Sequence, residues 1–329
     1  MLRRQALGVI DTEGKKYLSD NRVFADAFNF LIYNGKNVIK ADNLRSLDTT
    51  EITIPYGNNA RIPVQKYRDV LKIWSAMMDD NAIYVILGAE LQGKVHYGMP
   101  VKDGLYDMIG YSKQIEEIGR SYGNKKGKKE SDGEITVDKG SVKIKLTSEE
   151  FLSGLKKGDK LIPIITAVVY LGEKPWDGPR TLHDMLDIKD KTIKKFIPNY
   201  KINLISPANM TDKAFEKFNT ELGFAMKIIK HRSKDADELI KQTNHRKIDR
   251  GTAFFLNTVA KLDLEYEEKK GGIDMCEALE KRYKEKEVNG AISVLKALGK
   301  SDNEIIKSVM ETFKVKKNYV LSLLNPKKA

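Results

Sequence analysis

Residues 69–92 read DVLKIWSAMMDDNAIYVILGAELQ. Val70 to Met78 predicts one strand, Asp79-Asp80-Asn81 a turn, and Ala82 to Leu91, rich in Ile, Val and Tyr, a second strand suited to burial. Together they make a hairpin whose register depends on its turn. A two-residue turn at Asp79-Asp80 makes paired residue numbers sum to 159, and one at Asp80-Asn81 makes them sum to 161. Asp69 then stands opposite Glu90 or Gln92, and either register puts all three on one face, because side chains alternate with period two. A three-residue turn without a bulge sends Asp69 to the other face.

Upstream, Val23, Phe24, Ala27, Phe28 and Leu31 recur at helical spacing after Ser19-Asp20-Asn21, which predicts an amphipathic helix with N-cap chemistry at its start. A polar connection through residues 42–48 leads to Glu51–Pro55, which alternates like a strand, and residues 56–60 supply a turn. Downstream, Val101, Leu105, Met108, Ile109, Ser112 and Ile115 predict a crossover helix from about Pro100 to Arg120. A Gly/Lys-rich loop (123–134) and a small hairpin around Asp138-Lys139-Gly140 follow as an insertion. Leu161–Leu171 is apolar on both faces, as a central strand flanked by helices is, and is the expected parallel partner of the second hairpin strand.

Trp176-Asp-Gly-Pro-Arg180 predicts a tight turn and Tyr200–Ile205 another strand. Thr211-Asp212 opens a helix with the stripe Phe215, Phe218, Leu222, Met226 and Ile229, and another helix runs from about Asp249 to Lys261. After a linker near Lys269–Gly272 the tail is expected to form separate helices over Met275–Lys286, Ala291–Leu298, a capped stretch from Ser301-x-x-Glu304, and Asn318–Leu324. The expected architecture is α/β, a central mixed sheet flanked by helices, over residues 1–270, with a helical C-terminal region over 271–329.

The chain has 329 residues, 41% of them hydrophobic, and 58 Lys+Arg against 46 Asp+Glu, for a net charge of +12. That charge biases encounter toward polyanions and makes nucleic acid the leading partner. No run is long and apolar enough for a membrane span, and the first residues lack the apolar core of a signal peptide, so the cytoplasm is the expected location. The single cysteine, Cys276, excludes an internal disulfide and a multi-cysteine zinc site; it reads as a packed small hydrophobe.

Two carboxylates converging at a sheet end, Asp69 and Glu90, form a hard-oxygen site suited to Mg²⁺, which can orient a water and stabilise charge on a phosphodiester. Gln92 adds an amide that can position that water. Together with SDNRVFADAFNFLIYNGK (19–36), VQKYRDVLK (64–72), AELQGKVHYGMPVKDGLYD (89–107), DKLIPIITAVVYLGEKPWDGPRTLHDML (159–186) and DMCEALE (274–280), these residues resemble the recombination-promoting nuclease/putative transposase (YhgA-like) family of the PD-(D/E)XK nuclease superfamily. The resemblance spans roughly residues 17–280. It implies a restriction-endonuclease-like core and a divalent-metal-dependent DNA endonuclease, with Asp69 and Glu90 as ligands for Mg²⁺ or Mn²⁺ and Gln92 where many superfamily members carry a lysine. Lys94 or Lys102 would supply that positive charge. The first-helix acid is Asp20 or Asp26.

His96 shares the face of Gln92 if the strand continues, as a phosphate or water contact. His183, His231 and His245 show no metal-ligand spacing, and Lys125, Lys126, Lys128 and Lys129 are candidate phosphate contacts. A homodimer or higher homo-oligomer through the C-terminal helices is the expected assembly, since cutting both strands needs two sites. The rival expectation is a catalytically silent DNA-binding or regulatory protein that retains the nuclease fold.

Overall fold

The computed structural model describes residues 12–53, 64–67, 69–78, 81–123, 127–129, 135–139, 142–233, 235–266 and 271–324. The expected turn at 56–60, the Asp79-Asp80 loop, the tip at Gly140, Lys125, Lys126 and the linker residues Lys269 and Lys270 lie outside the described residues, as do the side chains of Lys128 and Lys129. The chain forms two compact units, one ending at Lys230 and one starting at His231.

The first unit begins with helix α1 (residues 12–18) and α2 (Asn21–Tyr33), the latter capped by Asp20, whose carboxylate accepts from the Arg22 amide. There follow β1 (Leu44–Ser46), β2 (Thr50–Thr53), β3 (Val64–Tyr67), β4 (Val70–Met78), β5 (Asn81–Gln92) and the long helix α3 (Met99–Tyr122). Then come β6 (Gly127–Lys129), β7 (Ile135–Lys139), β8 (Val142–Leu146), α4 (Ser148–Ser153), β9 (Ile164–Tyr170), α5 (Lys191–Lys194), β10 (Asn203–Ile205), α6 (Asp212–Phe215) and α7 (Glu221–His231).

The central sheet has five strands in the order β1-β4-β5-β9-β10. β1, β4 and β5 are antiparallel neighbours, whereas β5, β9 and β10 run parallel, so the sheet is mixed and α3 is the crossover between β5 and β9. Met78 pairs with Asn81 and Val70 with Ala89, the register whose numbers sum to 159 and which a turn at Asp79-Asp80 requires.

That register sorts the side chains. Val70, Lys72, Trp74, Val85, Leu87, Ala89 and Leu91 share one face, where α2 packs: the Lys72 ammonium sits 5.2 Å from the Phe24 ring centre and Trp74 meets Tyr33 edge-on. The other face, with Glu90, Thr166 and Val168, takes α3, through the buried Met99, Tyr106 and Ile109.

Several expectations change in the structure. The first strand of the central sheet is the short β1, whose three residues lie in what read as a polar connection; β2, expected from Glu51–Pro55, pairs only with β3 in a separate two-stranded sheet. The helix expected after Thr211 is two helices, α6 and α7, although Phe215, Phe218, Leu222, Met226 and Ile229 are all buried as expected. The break falls at Asn219-Thr220, whose backbone amides are drawn to Asp26. On α3 the expected core positions Val101, Leu105 and Met108 are exposed, and the buried stripe is Met99, Asp103, Tyr106, Asp107 and Ile109. The stripe takes in polar positions because Thr166, on the strand face beneath, donates to Asp107.

The second unit holds α8 (Ala236–Lys241), β11 (Lys247–Ile248), α9 (Arg250–Ala260), β12 (Ile273–Asp274), α10 (Met275–Ala297), α11 (Asp302–Phe313) and α12 (Lys317–Leu324). Residues 231–266 group with the tail, ahead of the boundary expected at 270/271, because β11 pairs with β12 and Arg282 donates to the Leu262 carbonyl and to Asp237. α10 runs unbroken through Gly290, where two helices were expected, because a Cβ-less residue is a modest penalty in a helix that packs at both ends. Its second half meets α11 and α12 around Val288, Ile292, Ile305, Ile306, Val309, Val320 and Leu324. The Ser301/Glu304 capping box forms as expected. Among the described residues no helix is long and apolar enough to cross a membrane.

Candidate functional site

The β4–β5 hairpin ends in acids. Asp69 immediately precedes Val70, and carrying the register one step past the Val70–Ala89 pair sets it opposite Glu90. Its Oδ2 accepts from the Leu91 amide at 2.8 Å, satisfying a strand N–H at the point where the β4 ladder ends. Its Oδ1 lies 2.7 Å from Lys15 Nζ, which α1 supplies.

Glu90 is only 1% exposed. Its Oε2 is 2.7 Å from Lys102 Nζ, which reaches back from the first turn of α3. A buried carboxylate is tolerated when a charge partner offsets its lost hydration, and Lys102 is that partner. Lys102 also sits 5.5 Å from the Tyr106 ring centre, so the ring face guides its long stem. The two carboxylates are thus each paired with a lysine from a different helix.

Gln92 follows on the same face, half-buried at the last residue of β5, opposite Tyr170 of β9. Beyond it the strand stops at a bend, Gly93-Lys94, so the alternation needed to bring His96 to the face of Gln92 does not continue; His96 and Lys94 are exposed. Asp26 is placed elsewhere: it is 2% exposed, and its two oxygens accept from the amides of Asn219 (2.8 Å) and Thr220 (2.9 Å) and from the Thr220 hydroxyl (2.6 Å). Asp20 is committed to the α2 N-terminus and to Arg22, whose hydrogen bond holds its carboxyl below the usual range against the opposing effect of burial.

Sequence reasoning passed over Asp103 and Asp107 on α3. Both are buried, and Asp107 accepts from Thr166 Oγ1 at 2.7 Å and from the Tyr200 hydroxyl, so it ties α3 to β9 and to the segment leading into β10. The signal was present, since 99, 103, 106 and 107 follow helical spacing from a proline-capped start. Lys72 was passed over too. It is 1% exposed on the opposite sheet face, donates to the Ser19 carbonyl at 2.8 Å and to Asn21 Oδ1, and burial lowers its pKa while Asp20 opposes that shift. It fixes the α1–α2 junction, and with it the helix that presents Lys15, to β4.

Comparison with known families bears on the segment beyond α3. Residues 147–252 match the family described as "Putative transposase, YhgA-like". The match is to the family that the sequence resembles, and it covers β9, β10 and α7, including Thr166 and Tyr200 that hold Asp107, while Asp69, Glu90 and Lys102 precede it. It points to a recombination or mobile-element role with DNA as partner. No curated protein and no solved structure matches the chain.

Proposed function

We propose that this chain is a divalent-metal-dependent DNA endonuclease acting in recombination, mobile-element movement or defence against foreign DNA. The observation that carries the reading is the pairing of Asp69 and Glu90 across one hairpin register, each beside a lysine from a separate helix. The donor set suits a hard cation: carboxylate oxygens at a strand end, with two ammonium groups already held where positive charge is favoured. When bound there, Mg²⁺ or Mn²⁺ supplies a Lewis acid that polarises a phosphodiester and makes a coordinated water more acidic.

The protein side of the reaction follows from the same contacts. Asp69 and Glu90 hold the cation, and Asp69 is fixed for that task by its bond to the Leu91 amide. Lys102, held 2.7 Å from Glu90, would neutralise charge on the scissile phosphate, in the role that the absent motif lysine plays in relatives. Lys15 does the same from the α1 side. Gln92 orients the attacking water from the next inward position on β5. The surplus of lysine adds sequence-independent, salt-sensitive affinity for the DNA backbone.

The same ion pairs favour one rival. If the lysines stand permanently in place of the cation, the chain binds DNA without cutting it. Incubation of supercoiled plasmid with Mg²⁺, Mn²⁺, Ca²⁺ or EDTA separates the two. Nicking in Mg²⁺ or Mn²⁺ that Asp69→Ala and Glu90→Ala each abolish, in proteins with unchanged circular dichroism, supports the nuclease; binding without nicking under every metal supports the silent reading.

A further inference from the structure

In the second unit the chain's single cysteine is not alone. β11 and β12 pair Lys247 with Asp274, so His245, two residues before Lys247, arrives beside Asp274 although 29 positions separate them. His245 Nδ1 lies 3.0 Å from Asp274 Oδ2, and Cys276 follows in the first turn of α10. The three ligand atoms, one nitrogen, one oxygen and one sulfur, all lie within 4.8 Å of one another, and among the described residues they are the only such group of three His, Cys, Asp or Glu side chains.

We propose that His245, Asp274 and Cys276 form a binding site for a borderline-soft divalent transition metal of the zinc type. Zinc bonds of roughly 2.0–2.3 Å to N, O and S imply ligand-to-ligand edges of about 3.3–3.8 Å in a tetrahedron, so the existing 3.0 Å nitrogen–oxygen contact opens by only a few tenths of an ångström. The cation would take the place of the proton now shared between His245 and Asp274. Asp274 Oδ1 stays committed to the Cys276 and Glu277 amides, at 2.9 and 3.1 Å, which orients Oδ2 as ligand. Cys276, 9% exposed, loses its thiol proton to solvent on binding and gives up its contact with the Ile240 carbonyl, now 3.4 Å away. His245 is the solvent-side member, with a side chain 62% exposed, so a fourth coordination position faces water. The mixed N/O/S set selects against Mg²⁺ and Ca²⁺, which take oxygen. Neither the spacing of the histidines nor the lone cysteine marked this site in the sequence, because a two-residue β-pairing assembles it.

Co²⁺ titration of the full-length chain tests the proposal, because Cys276 is the only thiolate available. Expected are one Co²⁺ per chain with a near-ultraviolet thiolate-to-cobalt charge-transfer band and tetrahedral visible bands, both displaced by Zn²⁺. Cys276→Ser should remove the charge-transfer band. His245→Asn, which suits the left-handed backbone at this exposed position, should in a protein of unchanged circular dichroism weaken Co²⁺ binding by at least roughly tenfold. Asp69→Ala and Glu90→Ala should leave the band intact, which separates this site from the hairpin carboxylates. Absence of the band at saturating Co²⁺, or an unchanged titration in His245→Asn, overturns the proposal.

Discussion

Lys102 returns from the first turn of α3 to place its ammonium 2.7 Å from Glu90, a carboxylate that α3 and the sheet bury to 1% exposure. The pair spans twelve residues of chain and closes the turn between β5 and α3. Stability and the proposed chemistry therefore meet at this point: the lysine that pairs with the buried Glu90 is also one of the two cations held at the carboxylates proposed as metal ligands.

Removing that lysine tests the coupling. Lys102→Met should destabilise the first unit by about 2–4 kcal/mol, since an unpaired buried carboxylate is costly. Glu90→Gln in the same chain should recover much of that loss, and a double-mutant cycle by urea unfolding measures it. A loss equal to the sum of the two single variants would show that the ion pair carries no stability.

Asp26 has a different test. Asp26→Ala strands the amides of Asn219 and Thr220 and should cost about 2 kcal/mol or more, at about 1 kcal/mol or more for each partly buried donor left unmatched. Urea unfolding checks the size. In a folded Asp26→Asn protein the plasmid-nicking rate should match wild type, and a large drop in rate at unchanged stability would put Asp26 back at the metal.

Gly35 supports the same junction. Its φ is +89°, its carbonyl accepts from Asn219 Nδ2 at 2.9 Å, and a Cβ there would collide with the Lys217 carbonyl oxygen. Gly35→Ala should therefore cost about 2 kcal/mol or more. Thermal melting checks it, and in combination with Asp26→Ala the two losses should add to less than their sum, because both loosen one loop.

A pH effect belongs to the second unit. Glu265 shares a hydrogen bond with Glu285, which with burial and their mutual repulsion raises its carboxyl from 4.5 to about 7, against the opposing charge of Lys281. The folded state holds this proton more tightly than the unfolded state, so the stabilisation is fully present below pH 4.5 and is lost as pH rises through about 7. The melting temperature of this unit should fall across that window. Glu265→Gln keeps a hydrogen bond to Glu285 without the charge and should flatten the slope; an unchanged slope would exclude the carboxyl pair as its source.

The shared facing of the hairpin acids was legible because both two-residue turns give the same alternation, although the choice between sums of 159 and 161 was not; the central strand Ile164–Tyr170 was legible because it is apolar on both faces. β1 was not, since three residues carry too little pattern to stand out from a polar connection. The inner face of α3 misled for a physical reason: Asp103 and Asp107 are buried, Asp107 on the hydroxyls of Thr166 and Tyr200, while Val101, Leu105 and Met108 are left exposed. That Asp69 and Glu90 share a face follows from alternation, whereas their reading as ligands came with the family resemblance. Lys15 was not legible, because α1 brings it in from outside the local pattern.

α10 joins the two ends of the second unit. Its 23 residues form one hydrogen-bonded rod of about 34 Å at 1.5 Å per residue, anchored near Asp274 by β12 and near Ile292 by the α11–α12 core. Fraying at either anchor propagates along a shared ladder, so the strand-pair end and the helical tail of this unit lose order together. Amide hydrogen exchange along α10 should accordingly show a single protection class on both sides of Gly290, the signature of one foldon in place of two.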